Sequence, residues 1–405
     1  MINLKSRTIA IVGGGIGGLT SALLLERNGF RIRLFERSKK PAATGAGIQL
    51  SPNAIKILFS LGLEKPLRLA SFHPRCVDIR SGITGQKLTN FHLGNEVLIR
   101  HNAPYLVLHR ADLHAILRQA CSKLVNIEIN EGHEITDMAA HPNGVTLIAE
   151  TSHSTVEFRA SGVIGADGIW STARNFVHNA TQPSFDGRIA WRALIDRKEV
   201  SDLLPKDATG LWLGPNAHLV HYPVRQGNVM NIVAVTPWQK KGEPHPNDWL
   251  SNDREEERIN AFDAWLPMLQ SQIRLKAKWG GWPLYTTPRC GAITNGPLCL
   301  IGDAAHPLAP YSAQGGGAAI EDAAVLANAC KENPANLEAA FKAYETIRRP
   351  RINKLIKLGR NNRRIYHLSS PANWARDMIM KRTPQTLMQK RMDWLYGWEP
   401  PISSK

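Results

Sequence analysis

The segment "TIAIVGGGIGGLTSALLLERNGFRIRLFER", Thr8 to Arg37, runs from an apolar strand through a glycine turn and a helix into a second strand. Ile9 to Val12 is a short apolar run, as a strand buried in a parallel sheet requires. Gly13, Gly15 and Gly18 follow in G-x-G-x-x-G spacing. The first makes a tight turn, the second lets a pyrophosphate approach the backbone, and the third lets helix and strand pack closely. A helix is expected from about Ile16 to Asn28. Its N-terminal N–H groups and dipole favour negative charge, and Gly29 suits its stop. Arg31 to Phe35 alternates as a strand and Glu36 ends it, with Arg37 beside it. A carboxylate about 20 residues beyond the glycines can accept from a ribose hydroxyl. The segment predicts a β-α-β unit that binds a dinucleotide, and FAD and NAD(P) both fit.

The rest of the chain bounds the possibilities. A chain of 405 residues can bury a sizeable core and is expected to form two domains. Its 43% hydrophobic and 21% charged content suits a globular, cytoplasmic enzyme. No long apolar span is free of glycine and charge, so no transmembrane helix is expected. The apolar N-terminal residues belong to the first strand and helix, so no signal peptide is expected. The five cysteines, Cys76, Cys121, Cys290, Cys299 and Cys330, form no C-x-x-C pair. That pattern argues for a reducing compartment, packed thiols and no zinc site. The formal net charge is +16, and much of it lies in the acid-free stretch "RRPRINKLIKLGRNNRR", Arg348 to Arg364. Ile352, Leu355, Ile356 and Leu358 make that stretch one amphipathic helix with a solvated basic face. Steering of an anionic substrate or of NAD(P)H is a second reading, and nucleic acid is not expected as a partner. Residues 240–258, "KKGEPHPNDWLSNDREEER", read as loop.

Two further motifs narrow the dinucleotide. "ASGVIGADGIWSTARNFV" contains a strand (Val163 to Ala166), the turn Asp167-Gly168 and a helix capped near Ser171. "PLCLIGDAAHPLAPYSAQGGGAAIEDAAVLANA" contains a strand (Leu298 to Ile301), then Gly302-Asp303, a proline-rich loop and a helix from about Gly316 to Lys331. Each sets backbone and a carboxylate at the C-terminal edge of a parallel sheet, where such sheets bind ligands. Gly315 to Gly317 open the last helix. Its unpaired N–H groups can face the negative edge of a reduced flavin.

Taken in this order, the glycine fingerprint, the "DG" motif and the "GD" motif resemble those of the single-component FAD-dependent aromatic hydroxylases, the class A flavoprotein monooxygenases. The likeness is greatest to the salicylate, 3-hydroxybenzoate and 6-hydroxynicotinate hydroxylases. It is supported by "GAGIQLSPNA" (Gly45 to Ala54), "HRADL" (His109 to Leu113), "AWRAL" (Ala190 to Leu194) and "HLVHYPV" (His218 to Val224). The resemblance implies FAD as a resident cofactor and NADH or NADPH as co-substrate. It implies hydroxylation of a small phenolic or hydroxypyridine-type aromatic acid with O2 through a flavin hydroperoxide. By the same resemblance Gly13, Gly15 and Gly18 hold the pyrophosphate and Glu36 the adenosine ribose. Arg110 contacts the ribityl-phosphate region and Asp303 the ribityl chain. Asp167 serves both FAD and NAD(P)H, and Gln49 and Gly315-Gly316 lie near the flavin.

A phenol has a pKa of about 10, so removing its proton near neutrality needs a base. His218 and Tyr222 lie four apart, on one face of a strand. In the related hydroxylases a histidine and a tyrosine at these positions turn toward the substrate. His218 is therefore the candidate base or phenolate partner and Tyr222 an orienting hydrogen bond, with His221 facing away. A histidine satisfied within the sheet is the plainer reading of His218. His306 either binds substrate or braces the Asp303 turn. The resemblance implies that Pro310 presents its carbonyl near the site of oxygenation, as the family's loop proline does, and Tyr311 and Gln314 are expected within reach of the pocket. Arg192 either anchors a carboxylate or braces the sheet.

The expected fold is α/β: a Rossmann-like FAD-binding domain (GR2 type), a smaller mostly β substrate domain and a C-terminal helical segment. The FAD domain takes residues 1–75, 101–178 and 281–335, the β domain 76–100 and 179–280, and the helical region 336–405. No second G-x-G-x-x-G is present, so NAD(P)H is expected to dock transiently on a monomer or homodimer. A disulfide reductase would need that second fingerprint and a cysteine pair. A flavin halogenase would need W-x-W-x-I-P, which "KWGGWPLY" (Lys278 to Tyr285) does not match. A hydroxylase of a quinone precursor or natural-product phenol, and a non-catalytic flavin- or nucleic-acid-binding protein, remain as alternatives.

Overall fold

The computed structural model describes residues 8–39, 46–239, 242–244 and 254–401. At its centre is a six-stranded sheet in the order Thr294–Asn295, Leu298–Leu300, Gly162–Gly165, Thr8–Val12, Arg31–Glu36, Ile127–Glu131. All neighbours pair in parallel except the first two, which form a hairpin. Ile11 lies between Leu34 and Ile164, and all three are fully buried, as the apolar run anticipates. Helix Ile16–Arg27 follows the first strand and packs on Gly315–Glu332 and Arg110–Ser122. Gly18 lets this helix lie close on the strand and turn before it: a methyl group there would lie 2.0 Å from the carbonyl oxygen of Gly13.

A seven-stranded sheet forms the second layer system. Its order is Gly280–Thr286, Ser184–Asp196, Val229–Pro237, Ala217–Val224, Thr209–Gly214, Cys76–Ser81, Lys87–His92. Only Thr209–Gly214 with Cys76–Ser81 is parallel. Directly opposed residues share a face, so the register sets Arg192, Val233 and Val220 in one row. Val235 and His218 form the next row. The strand Gly280–Thr286 corrects the expected boundary at residue 281. It pairs antiparallel with Ser184–Asp196 and so belongs with the β domain. Its glycines and proline hide the alternation that would have marked it as a strand.

Two other expectations change. Beyond Asp167-Gly168 there is a four-residue 3-10 turn, Ala173–Phe176, and not an α-helix. Asp167 and Ser171 build it: Asp167 Oδ2 accepts the Ala173 N–H at 3.0 Å, and Ser171 Oγ accepts the Arg174 N–H at 3.0 Å. The basic stretch does lie on one helix, Leu337–Tyr366, but its basic residues are not all solvated. Arg348 is fully buried and Arg351 nearly so. Arg348 donates to Glu321 at 2.8 Å and Asp322 at 2.7 Å, and Arg351 to Glu321 at 2.6 Å. Burial of these charges is tolerated because acids on the preceding helix pair with them. Lys354, Lys357, Arg360 and Arg364 remain exposed.

Two shorter helices, Ala372–Arg382 and Gln385–Tyr396, follow and pack on Lys87–His92. The stretch read as loop lies partly outside the described residues, and its end, Glu255–Asn260, is helical. All five cysteines are buried and unpaired. Among the described residues no helix is long and apolar enough to cross a membrane, and no side-chain cluster suits a metal ion.

Candidate functional site

Two cavities lie where the sheets meet. The first, about 420 Å³, is lined by Gly13 to Gly17, Glu36, Arg37, Asp167 and Gly168. The second, about 350 Å³, is lined by Gln49, Arg192, His218, Val220, Tyr222 and Pro310. Ile48, Arg110, Trp170, Asp303, Gly315 and Gly316 border both, so the two are continuous.

The first cavity is shaped for a long anionic ligand. Gly13 turns the chain at φ +107°, and a methyl group there would sit 2.3 Å from the Ala166 oxygen. A methyl group at Gly15 would meet nothing within 4 Å, so the space beside the first helical turn is open. Gly15 caps the helix without a side-chain bond, which leaves its first N–H groups for a ligand. Glu36 is held by its own backbone: its carboxylate accepts from Gly14 N–H and Ser38 N–H, both at 2.9 Å. Arg37 sits at the rim, 3.9 Å from Glu134. Asp167 spends both oxygens internally, on Ser171 Oγ at 2.5 Å and Ala173 N–H, so it shapes the wall without offering a free carboxylate.

Asp303 lies deep in the molecule yet is open to the cavity interior. Burial raises its carboxyl pKa, and His306, Arg110 and Arg174 oppose that rise. Its turn is tied down by a residue the sequence did not flag. Buried Arg174 donates to the carbonyls of Ala304, Ile169 and Asp303 at 2.7–2.8 Å, joining the two acidic turns. Gly315 starts its helix without a side-chain cap from Gln314. Gln49 Oε1 accepts from Tyr105 Oη at 2.7 Å. His114 Nε2 holds the Gly14 carbonyl at 2.8 Å from one turn beyond Arg110.

In the second cavity, His218, Val220 and Tyr222 share the lining face of Ala217–Val224, and His221 points the other way with neither ring nitrogen paired. Tyr222 packs on Gly47, where a methyl group would lie 2.4 Å from its ring. Burial raises the Tyr222 pKa, and Arg192 opposes the rise. Burial, with a smaller push from Arg188, lowers His218 to about 3, so it is neutral at physiological pH. His218 Nδ1 lies 2.8 Å from Nε2 of His367, a partner no local pattern announces. Pro310 is on the wall, but its carbonyl accepts the Ala313 N–H at 3.2 Å, which spends one lone pair. Arg192 faces the cavity, stacks 5.3 Å from the Trp282 ring and has a buried Nε without a partner.

His306 is a correction. It is buried off both cavity walls, with Nε2 2.6 Å from Asp322 Oδ2. The same oxygen accepts the Gly302 N–H at 2.8 Å, so His306 braces the turn from behind and is not placed to bind substrate. Tyr311 and Gln314 also turn away: Tyr311 Oη donates to Asp186 at 2.5 Å, and Gln314 Nε2 donates to Ser51 Oγ at 3.0 Å.

Residues 6–358 match the family model described as FAD binding domain. The chain is 32% identical over 390 residues to 3-hydroxybenzoate 6-hydroxylase of Klebsiella oxytoca, covering 96% of each protein. It is 34% identical over 360 residues to 6-hydroxynicotinate 3-monooxygenase of Pseudomonas fluorescens, covering 88% of this chain and 91% of that one. The chain belongs to the FAD-dependent aromatic monooxygenases. The hydroxylase fold matches too. Klebsiella pneumoniae HpxO, crystallised with FAD and uric acid, superposes with a TM-score of 0.83 over 96% of each chain at 23% identity. The first cavity suits the cofactor of this hydroxylase family: a glycine turn with open space, an uncapped helix start and a backbone-held carboxylate stand in series.

Proposed function

We propose that the protein hydroxylates a small phenolic or hydroxypyridine-type aromatic acid, using NADH or NADPH and O2. Arg192 is the observation that carries the acid. Its Nε is buried without a hydrogen-bond partner beside the cavity, and a substrate carboxylate there would satisfy it.

FAD, when bound, supplies the electron transfer and the activation of O2. Gly13 and Gly15 with Glu36 and Arg37 hold its adenosine diphosphate half, while Gly18, expected to join them, is buried off the cavity wall and only lets the helix pack. Arg110, Asp303, Gln49 and the helix start at Gly315-Gly316 hold the remainder, with Asp167 shaping the wall through its internal bonds. His218 and Tyr222 hold the ring hydroxyl of the substrate. A neutral imidazole takes or shares that proton, and burial with the Arg188 charge disfavours a lasting imidazolium. Val220, Val233, Val235, Leu284 and Leu308 exclude water, which limits loss of oxidising equivalents as H2O2. NAD(P)H docks transiently.

The test is a panel of hydroxybenzoates and hydroxypyridine carboxylates beside their methyl esters. NADH and NADPH consumption is compared with H2O2 release. An acid is expected to couple and its ester to uncouple. Coupled turnover of esters or other neutral phenols at the rate of the acids would overturn the carboxylate reading and favour a natural-product phenol.

A further inference from the structure

The C-terminal helical region packs from behind on His218, a residue of the second cavity's wall. Helix Leu337–Tyr366 ends at His367, which is buried against His218. The two rings lie 4.9 Å apart between centroids, with His218 Nδ1 and His367 Nε2 at 2.8 Å. The rings of Tyr366 and Tyr311 flank the pair, 5.3 and 5.7 Å from His218. The end of the helix is also fastened to the hairpin that bears His218. The His367 carbonyl accepts from Asn216 N–H, and Asn216 occupies the tight turn at φ 56° before Ala217–Val224. Arg188 donates to the Asn216 carbonyl from the next strand but one.

An imidazole on a cavity wall has two ring orientations and two neutral tautomers. His218 has this freedom only if Nδ1 is unpaired. Burial keeps both rings uncharged, so the pair holds one N–H between the two facing nitrogens. A flip of His218 would break that bond and set a carbon against His367.

We propose that His367 is a positioning residue: by engaging Nδ1 of His218 it fixes the ring so that Nε2 alone serves the substrate hydroxyl. The inference rests on the reading of His218 as a substrate contact. It makes the segment after the flavin-binding core a working part of the hydroxylation site. His367 is off the cavity wall, so its effect on the substrate is expected to pass through His218.

A four-protein cycle separates this inference from the reading beneath it. Wild type, His218→Ala, His367→Phe and the double variant are assayed with 3-hydroxybenzoate, 6-hydroxynicotinate and the best-coupled acid of the panel. FAD absorbance near 450 nm and the thermal midpoint are recorded for each. His367→Phe is expected to lower product per NADH and kcat by roughly tenfold, the worth of one hydrogen bond to a well-placed group, with KM for NADH unchanged. His367→Gln, whose amide reaches as far as Nε2 and can donate or accept, is expected to recover most of the loss. The double variant should match His218→Ala alone. If His218→Ala forms product normally, the substrate-contact reading itself fails. If His218→Ala is defective while His367→Phe is normal, or if Gln and Phe variants fall equally, or if the two losses multiply, the positioning role fails. A spectrum of the 15N-histidine-labelled holoenzyme needs neither a substrate nor a stable variant at position 367. It should contain one slowly exchanging imidazole N–H that vanishes in His218→Ala, and its absence from wild type also overturns the role.

Discussion

A methyl group added at Gly15 would enter open space, whereas one added at Gly13 would strike the Ala166 carbonyl. The two glycines of one fingerprint therefore fail differently when replaced. Gly15→Ala is expected to leave apoprotein stability within about 1 kcal/mol, since its backbone is ordinary at φ −75°. The same change should weaken FAD at least roughly tenfold in a titration of apoprotein, because the methyl group occupies the ligand's side of the turn. Gly13→Ala is expected to cost at least about 2 kcal/mol of folding stability by urea denaturation, through positive φ and the clash. Equal loss of stability in both variants would contradict this division. At this scale the sequence was an uneven guide. The glycines, Glu36, Asp167 and Asp303 were legible because each sits a fixed few residues from a strand end. His306 was not: "GDAAHP" reads the same whether its histidine faces the ligand or Asp322. His367 could not be found at all, because its partner lies 149 residues away.

Helices Gly315–Glu332 and Leu337–Tyr366 act together as a clamp on the Asp303 turn. Asp322 accepts from Arg348, from His306 and from the Gly302 N–H, while Glu321 accepts from Arg348, Arg351 and Asn53. Burial alone would raise the Asp322 pKa, but His306, Arg348 and the Gly302 N–H together hold it at about 2. Arg348→Met leaves two buried acids short of a cation. We predict a loss of about 3–5 kcal/mol in urea unfolding, with weaker FAD retention because the Gly302 turn hangs on Asp322. A change under about 1 kcal/mol would show that the cluster is dispensable. The helices themselves were readable from glycine starts and apolar spacing. Their pairing was not, because a run of arginines and a pair of acids each read locally as surface. Only the packing of one helix on the other turns them inward. The same limit hid the strand Gly280–Thr286, whose identity depends on its neighbour and not on its own alternation.

Over the whole molecule, the architecture followed from three strand-to-turn motifs, while the seven-stranded sheet had to be seen to fix which residues face one another. That sheet also carries a pH liability. Burial lowers His218 and His221 to about 3, and burial with the His218, Arg188 and Arg363 contacts lowers His367 to about 2. Unfolded histidines titrate near pH 6.5. Between those values the unfolded chain binds more protons, so stability is full above about pH 6.5 and falls as the medium is acidified. Each such histidine contributes a slope of up to about 1.4 kcal/mol per pH unit. Asp322 joins the loss only below its unfolded value of about 4. We predict that the thermal midpoint drops between pH 7.5 and 5.0, and that His221→Leu, off the cavity face, narrows the drop. An undiminished drop would argue against His221 as a source. The central sheet has one more consequence, for the chain as it is made. The strand at residue 8 is synthesised first, yet one neighbour arrives with residue 162 and the helix that closes the ligand's cradle only with residue 315. A nascent polypeptide therefore has its glycine turn long before it has a place to keep the cofactor, and acquisition of FAD must wait until most of translation is complete.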